Sequence, residues 1–229
     1  MLFNRCFAHH FRLWKECVAI PSSILSNHTA YESWAFTDLS EEIIPITSKW
    51  DKYKNQFDCI YTGYLSTKQV RIVEQIIKER KEKSFIFVDP AMADKGKLYK
   101  GFDNNHVLEM KHLISLADLI KANITEACFL TDEKMLDENH VSKGDVFRLL
   151  DRLSEGKRDV IISGFELEEK KISISFVSKG KKGILNYEKL PGEYHGTGDL
   201  FSSALIGLHL NGLSLKSRLK SLMNMYVEP

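Results

Sequence analysis

Residues 84–90 read Ser84-Phe85-Ile86-Phe87-Val88-Asp89-Pro90. Five β-favouring, mostly apolar residues make a strand that is buried on both faces, and the Asp-Pro pair halts it. The same grammar repeats to either side. Upstream, Asp58 to Thr62 reads as a short buried strand. Ser66 then opens a helix with Val70, Val73, Ile76 and Ile77 on its apolar face and Gln69 at the capping-box position. Earlier still, Leu39, Ile43, Ile46, Trp50 and Tyr53 recur at helical spacing, with Asp38 and Glu41 spaced as a capping box. Downstream come a helix around His106 to Leu116, a strand at Asp118 to Ile120, a helix marked by Val146, Leu149, Leu150 and Leu153 and closed by Gly156, and a strand at Asp159 to Ser163. Lys171 to Val177 and Gly183 to Leu190, split by Lys179-Gly180-Lys181-Lys182, form an antiparallel hairpin. Asp199 to Leu210 is a helix ending at Asn211-Gly212. Alternating strands and helices, with ligand-type residues just after the strands, predict an α/β fold. Its sheet is largely parallel and flanked by helices, and its site lies at the strands' carboxyl ends. No repeat, low-complexity tract or linker divides the chain, so residues 1–229 are expected to form a single domain.

Composition narrows the function. The 43% hydrophobic and 28% charged residues are ordinary for a soluble globular protein. With 32 basic and 31 acidic residues the net charge is +1, which gives no electrostatic reason to expect nucleic acid or an anionic membrane as partner. No apolar run is long enough to span a bilayer, and Met1 to Arg12 lacks the pattern of a secretory signal. Cys6, Cys17, Cys59 and Cys128 are scattered without a CxxC pair, as expected of reduced thiols in a cytoplasmic protein. His9-His10 has no companion ligands, so a metal is not expected there.

Five stretches carry chemistry. His195-Gly196-Thr197-Gly198-Asp199 runs straight into an apolar helix. Its glycines let backbone N–H groups approach a ligand at a helix N-terminus, where unpaired donors and the dipole favour an anion. An acid there can take a proton from a hydroxyl attacking a phosphate, although Asp199 can equally serve as a helix cap. Asp89-Pro90-Ala91-Met92-Ala93-Asp94 puts two acids beside a strand end, where they can order Mg²⁺ near phosphates or simply terminate the strand. Asn123-Ile124-Thr125-Glu126 has the spacing of a capping box, and both polar residues can also face a ligand. Ser26-Asn27-His28-Thr29-Ala30-Tyr31 and Tyr61-Thr62-Gly63-Tyr64 bring aromatic rings near hydroxyl donors, which suits a flat polar heterocycle. No Walker A loop, zinc-protease helix or serine-nucleophile elbow is present.

Taken together and in order, these stretches resemble pyridoxal kinase of the ribokinase superfamily. Ser26 to Tyr31 is similar to the family's SNHTGY-type segment, Tyr61 to Tyr64 to its TGY turn, and Asp89 to Asp94 to DPVMGD, with Gly96 to Tyr99 fitting behind it. Asn123 to Glu126 is similar to the PNxxE motif and Gly196 to Asp199 to the GTGD anion hole. The resemblance implies a ribokinase-like fold and transfer of the γ-phosphate of MgATP to the 5′-hydroxymethyl of a vitamin B6 vitamer. It implies Asp199 as base, Gly196, Thr197 and Gly198 as the anion hole, and His28, Thr29 and Tyr64 around the substrate ring. It assigns Asp94, Tyr99, Asn123 and Ser163 to the nucleotide and phosphates, and Glu126 and Asp89 to Mg²⁺. A monovalent cation and a homodimer belong to the same expectation. The sister hydroxymethylpyrimidine kinases share the fold and anion hole and stand as the alternative, as does a non-catalytic relative that keeps a vitamin or nucleotide pocket. The chain departs from the resemblance in three ways. The family's first strand and some C-terminal elements are expected to be missing from residues 1–229, Lys121-Ala122 stands where Thr-Pro precedes the asparagine, and Ala93 replaces a glycine.

Overall fold

A computed structural model describes residues 16–27, 31–50, 52, 57–80, 84–189, 191–192 and 196–227. Its centre is a six-stranded mixed sheet. The strands β3 (Cys59–Thr62), β4 (Phe85–Val88), β7 (Leu119–Ala122), β8 (Asp159–Phe165), β9 (Lys171–Ser178) and β10 (Lys181–Glu188) lie in the order β10-β9-β8-β7-β4-β3. β3, β4, β7 and β8 are mutually parallel, and β9 and β10 add antiparallel at one edge. Two small hairpins stand apart, β1 (Ser23–Leu25) with β2 (Phe36–Asp38) and β5 (Ala93–Asp94) with β6 (Lys97–Leu98). The helices are α1 (Ser40–Ser48), α2 (Thr67–Arg80), α3 (Asn104–Ser115), α4 (Ile124–Thr131), α5 (Lys143–Ser154), α6 (Thr197–Leu210) and α7 (Leu215–Val227).

Strand pleating sorts the core into two layers, because successive side chains point to opposite faces. Ile86 and Val88, Ile120 and Ala122, and Val160 and Ile162 face one way, where they meet Val70, Val73 and Ile77 of α2, Met110 and Leu113 of α3, Ala127 of α4 and Leu149 of α5. The residues between them, Phe87, Leu119 and Ile161, face the other way onto Phe201, Leu205 and Leu208 of α6 and Leu215, Leu219 and Leu222 of α7. Carried two residues further toward the carboxyl ends, this second face brings Asp89, Lys121 and Ser163 toward the same side as the start of α6.

The elements read from sequence are present, with shifted ends. β7 runs two residues beyond the expected strand, so Lys121 and Ala122 lie inside it. The β9–β10 hairpin closes through Lys179 and Gly180, both at positive φ (48° and 73°), as a two-residue turn matched to strand twist requires. The capping box expected at Asp38 and Glu41 is not formed. Leu39 is the N-cap of α1 and makes no side-chain cap bond, Asp38 Oδ1 accepts instead from the Ser40 N–H at 2.7 Å, and Glu41 pairs with Lys68. That helix also stops at Ser48, short of the spacing that ran to Tyr53. At α2 only half of the box forms, with the Ser66 N–H donating to Gln69 Oε1 at 2.9 Å, while Gln69 Nε2 reaches the Ser22 carbonyl at 2.7 Å.

Candidate active site

Three carboxylates and one lysine converge where β4 and β7 end and α6 begins. Lys121 Nζ donates to Asp89 Oδ2 at 2.8 Å, and Ser202 Oγ, one turn into α6, donates to the same oxygen at 2.8 Å. All three are buried, Lys121 at 9% and Asp89 at 5% exposure. Asp199 lies in the first turn of α6 and is open to solvent. Burial among surrounding groups and the Asp89 charge raise its pKa, against a smaller opposing pull from Lys121. Desolvation works against the Lys121 charge, but Asp89, Glu126 and Asp199 outweigh it and hold the ammonium's pKa above its ordinary value.

The entry to α6 is set by Gly196, the N-cap, at φ 79°, where an L side chain would be strained. A Cβ at Gly198 would lie 3.4 Å from Lys121 Nζ, which places the ammonium against the turn that opens α6. The first-turn N–H groups of α6 have no intrahelical acceptors and form the positive end of the helix dipole. The Leu200 N–H closes the first turn on the Gly196 carbonyl at 3.1 Å.

The Asn123–Glu126 pair is a complete capping box. Asn123 Oδ1 accepts from the Glu126 N–H at 2.8 Å and Glu126 Oε2 accepts from the Asn123 N–H at 2.9 Å. Each residue also ties down the loop after β4: Asn123 Nδ2 donates to the Ala93 carbonyl at 2.8 Å, and Glu126 Oε1 accepts from the Met92 N–H at 3.2 Å. Glu126 is wholly enclosed, and burial, with Asp89 adding, pushes its pKa up to about 8. The Asp89–Asp94 segment is thereby fixed to the start of α4. The β5–β6 hairpin leaves Asp94 exposed and Tyr99 40% exposed, and the Tyr99 phenol is pushed up to about 12 by burial and by Glu126, Asp94, Asp89 and Asp199.

A flat shelf lies beyond β3. Tyr64 is 40% exposed and stacks one face on Phe102 at 5.5 Å, and Phe102 stacks on His106 at 3.7 Å and 2°. His106 Nδ1 is fixed by Thr67 Oγ1 at 3.0 Å. His28 and Thr29 lie outside the described residues. Ser163 is half-buried in β8 just before a bulge at Gly164, on the α6 face, and no side-chain hydrogen bond joins it to the carboxylate cluster among the described residues. Sequence reasoning took Lys121 as a departure and did not consider Ser202, Phe102 or His106. Period-2 counting from Leu119 would have put Lys121 on the α6 face.

Residues 23–223 match the phosphomethylpyrimidine kinase family. The chain belongs to that family. A provisionally named phosphomethylpyrimidine kinase from Bacteroides thetaiotaomicron is 36% identical and superposes with a TM-score of 0.83 over 89% of this chain and 72% of its own. The same protein in a second crystal form, with pyridoxal, gives 36% identity and a TM-score of 0.82. A provisionally named pyridoxal kinase of Schizosaccharomyces pombe is 29% identical over 204 residues, covering 84% of this chain. The chain spans 63% of that relative's length. These likenesses establish the ribokinase-like α/β fold. They overturn the pyridoxal kinase assignment, since the matched family and the 36%-identical structures carry the phosphomethylpyrimidine kinase description. Residues 28–30, within the Ser26 to Tyr31 stretch, lie outside the described residues.

Among the described residues no group of three or more His, Cys, Asp or Glu forms a metal cluster. Both Glu126 oxygens are engaged by backbone N–H groups and Asp89 Oδ2 by Lys121 and Ser202. This donor set fits a magnesium ion delivered with a nucleotide and held largely through water, the usual arrangement for Mg²⁺ at phosphates, rather than a standing protein cage.

Proposed function

We propose that the chain is an ATP-dependent kinase of the hydroxymethyl group of a substituted pyrimidine. The observation that carries this is the placement of Asp199 at the N-terminus of α6, beside the enclosed Asp89–Lys121–Ser202 cluster. In this reading the substrate's hydroxyl oxygen attacks the γ-phosphorus, the bond from that phosphorus to the β–γ bridging oxygen breaks, and ADP leaves with that electron pair. Asp199 takes the hydroxyl proton. Its raised pKa makes it a stronger acceptor than an ordinary aspartate. The first-turn N–H groups of α6 face the charge that develops on the phosphoryl oxygens. Tyr64, its inner face packed on Phe102, offers its other face to a planar heterocycle. The Bacteroides protein crystallised with pyridoxal supports a planar, hydroxymethyl-bearing ring as the substrate class. Magnesium, when bound with the nucleotide, neutralises phosphate charge, and Asp89 and Glu126 are the residues that would face it.

The test is ADP release from MgATP with a hydroxymethylpyrimidine as acceptor and pyridoxal as comparison, alongside Asp199→Asn. Turnover on the pyrimidine that falls by about 10²–10⁴-fold in the variant is the expected outcome. A folded protein without turnover on any such acceptor, or a variant as active as the parent, would refute the proposal.

A further inference from the structure

Lys121 is the one charged residue of the cluster whose chemistry the reading above leaves unused. It is a lysine at 9% exposure on a central strand, and a buried ammonium is retained only where several groups stabilise it. One of its three N–H donors is satisfied, by Asp89 Oδ2 at 2.8 Å, and among the described residues it has no other hydrogen-bond acceptor. Its surroundings point to where the others are used. A Cβ at Gly198 would lie 3.4 Å from Nζ, so the ammonium stands directly against the turn that opens α6, at the position where that residue has no side chain. The charge count runs the same way. Asp89 touches the ammonium directly and Asp199 follows Gly198 in the first turn of α6, so two acids lie beside one cation. A phosphate approaching these two carboxylates without that cation would meet repulsion at close range in a poorly solvated setting.

We infer that Lys121 is a phosphoryl-binding residue: its ammonium, anchored by Asp89 and set against Gly198, contacts the γ-phosphoryl group at the N-terminus of α6. Asp89 and Ser202 hold it from beneath, Asp89 through the 2.8 Å ion pair and Ser202 through its own 2.8 Å bond to the same Asp89 oxygen. The dipole and N–H groups of α6 supply partial charges, and Lys121 supplies the full one. The arrangement pre-positions the charge before the nucleotide arrives, so no side chain has to be ordered during the reaction. This rests on the kinase reading and adds to it the group that distinguishes a triphosphate from a diphosphate.

The experiment is calorimetric titration, in the presence of magnesium, of the β,γ-imido analogue of ATP and of ADP into the parent chain, Lys121→Arg, Lys121→Met, Asp89→Asn, and the Lys121→Met/Asp89→Asn pair. No turnover is involved. Losing a charge-assisted hydrogen bond should weaken the imido analogue by about ten- to a hundredfold in Lys121→Met and leave ADP nearly unchanged, with Lys121→Arg intermediate. Lys121→Met leaves Asp89 buried without its partner and is at risk of unfolding. The double variant removes both charges, and comparing it with Asp89→Asn alone isolates the lysine. There too the preference for the imido analogue over ADP should fall by the same factor. If the parent binds both nucleotides and the preference survives loss of the lysine, the inference is overturned while the kinase reading stands. A folded parent that binds neither nucleotide overturns both.

Discussion

Replacing Gly183 by alanine should destabilise the sheet edge that carries α6. Gly183 of β10 pairs with Phe176 of β9, and the phenyl ring lies across the glycine. A Cβ at 183 would sit 2.4 Å from Phe176 Cζ and 2.6 Å from Cε1. Carbon atoms prefer about 3.5–4.0 Å, so the ring must move by roughly 1 Å. It has little room. Phe176 is 5% exposed and belongs to the cluster that includes Phe201, Ala204 and Leu205 of α6. Overpacking of this kind costs about 1–3 kcal/mol, and removing a glycine from a strand returns about 0.5–1 kcal/mol, so the net loss is about 1–2 kcal/mol. For a chain of this size that lowers Tm by about 2–8 °C. Thermal unfolding followed by circular dichroism or calorimetry measures it. Phe176→Leu should remove most of the penalty when combined with Gly183→Ala, giving a coupling free energy of opposite sign to the single losses. A Gly183→Ala protein as stable as the parent, or more stable, would show that the ring does not need the space, and the packing argument would fail.

Other outcomes follow from the same geometry. Gly196→Ala, which places an L side chain at φ 79°, should cost about 1–2 kcal/mol and weaken nucleotide binding, measurable by melting and by titration with the imido analogue. Tyr64→Ala should raise KM for the ring substrate with little change in KM for ATP, whereas Tyr64→Phe, which keeps the stacking face on Phe102, should leave both nearly unchanged in steady-state assays. His209, stacked on Phe85 at 3.7 Å, has its pKa lowered from 6.5, chiefly by burial and also by Arg218. A histidine with a depressed folded-state pKa gives stability that is present above the unfolded value of 6.5 and is lost as pH falls through the folded one. Denaturant unfolding between pH 7.5 and 5 should therefore show a loss that His209→Phe reduces, and an unchanged slope in that variant would count against the assignment.

How much of this was legible in the sequence depends on which physical signal each feature leaves. The apolar runs at Phe85–Val88 and Asp159–Ser163 and the 3.6-residue pattern of Val70, Val73 and Ile77 are burial signals, and they placed the strands and helices in order. The Lys179-Gly180 turn between β9 and β10 is a backbone signal and placed the hairpin. Helix starts fared worse, because several side chains compete for the same N–H groups. Asp38 bonds Ser40 rather than closing a box with Glu41, and Gln69 spends its amide on the Ser22 carbonyl, a partner 47 residues away. The β1–β2 and β5–β6 hairpins are too short for any periodicity to declare them, and the residues of α7 carry no motif.

The candidate site divides along the same line. Glycines at a helix start, a capping box at Asn123–Glu126 and an Asp-Pro stop are local and were read from spacing alone. The features that decide the site's electrostatics are non-local. Asp89 meets Lys121 across 32 residues and Ser202 across 113. Only the sheet order, with β4 beside β7 and α6 laid over both, turns three unrelated segments into one charge cluster. Yet half of the information was present in the pleat. Leu119 faces α6, so Lys121 must as well, and Phe87 fixes Asp89 by the same count. A lysine two residues past a core leucine, near the end of a buried strand, cannot reach bulk solvent without leaving the sheet. It therefore needs an internal acid, and the neighbouring strand's terminal aspartate is the nearest candidate in register. An exchange of threonine for lysine at that position is thus a change of charge inside the site, since the fold leaves the ammonium no other place to go.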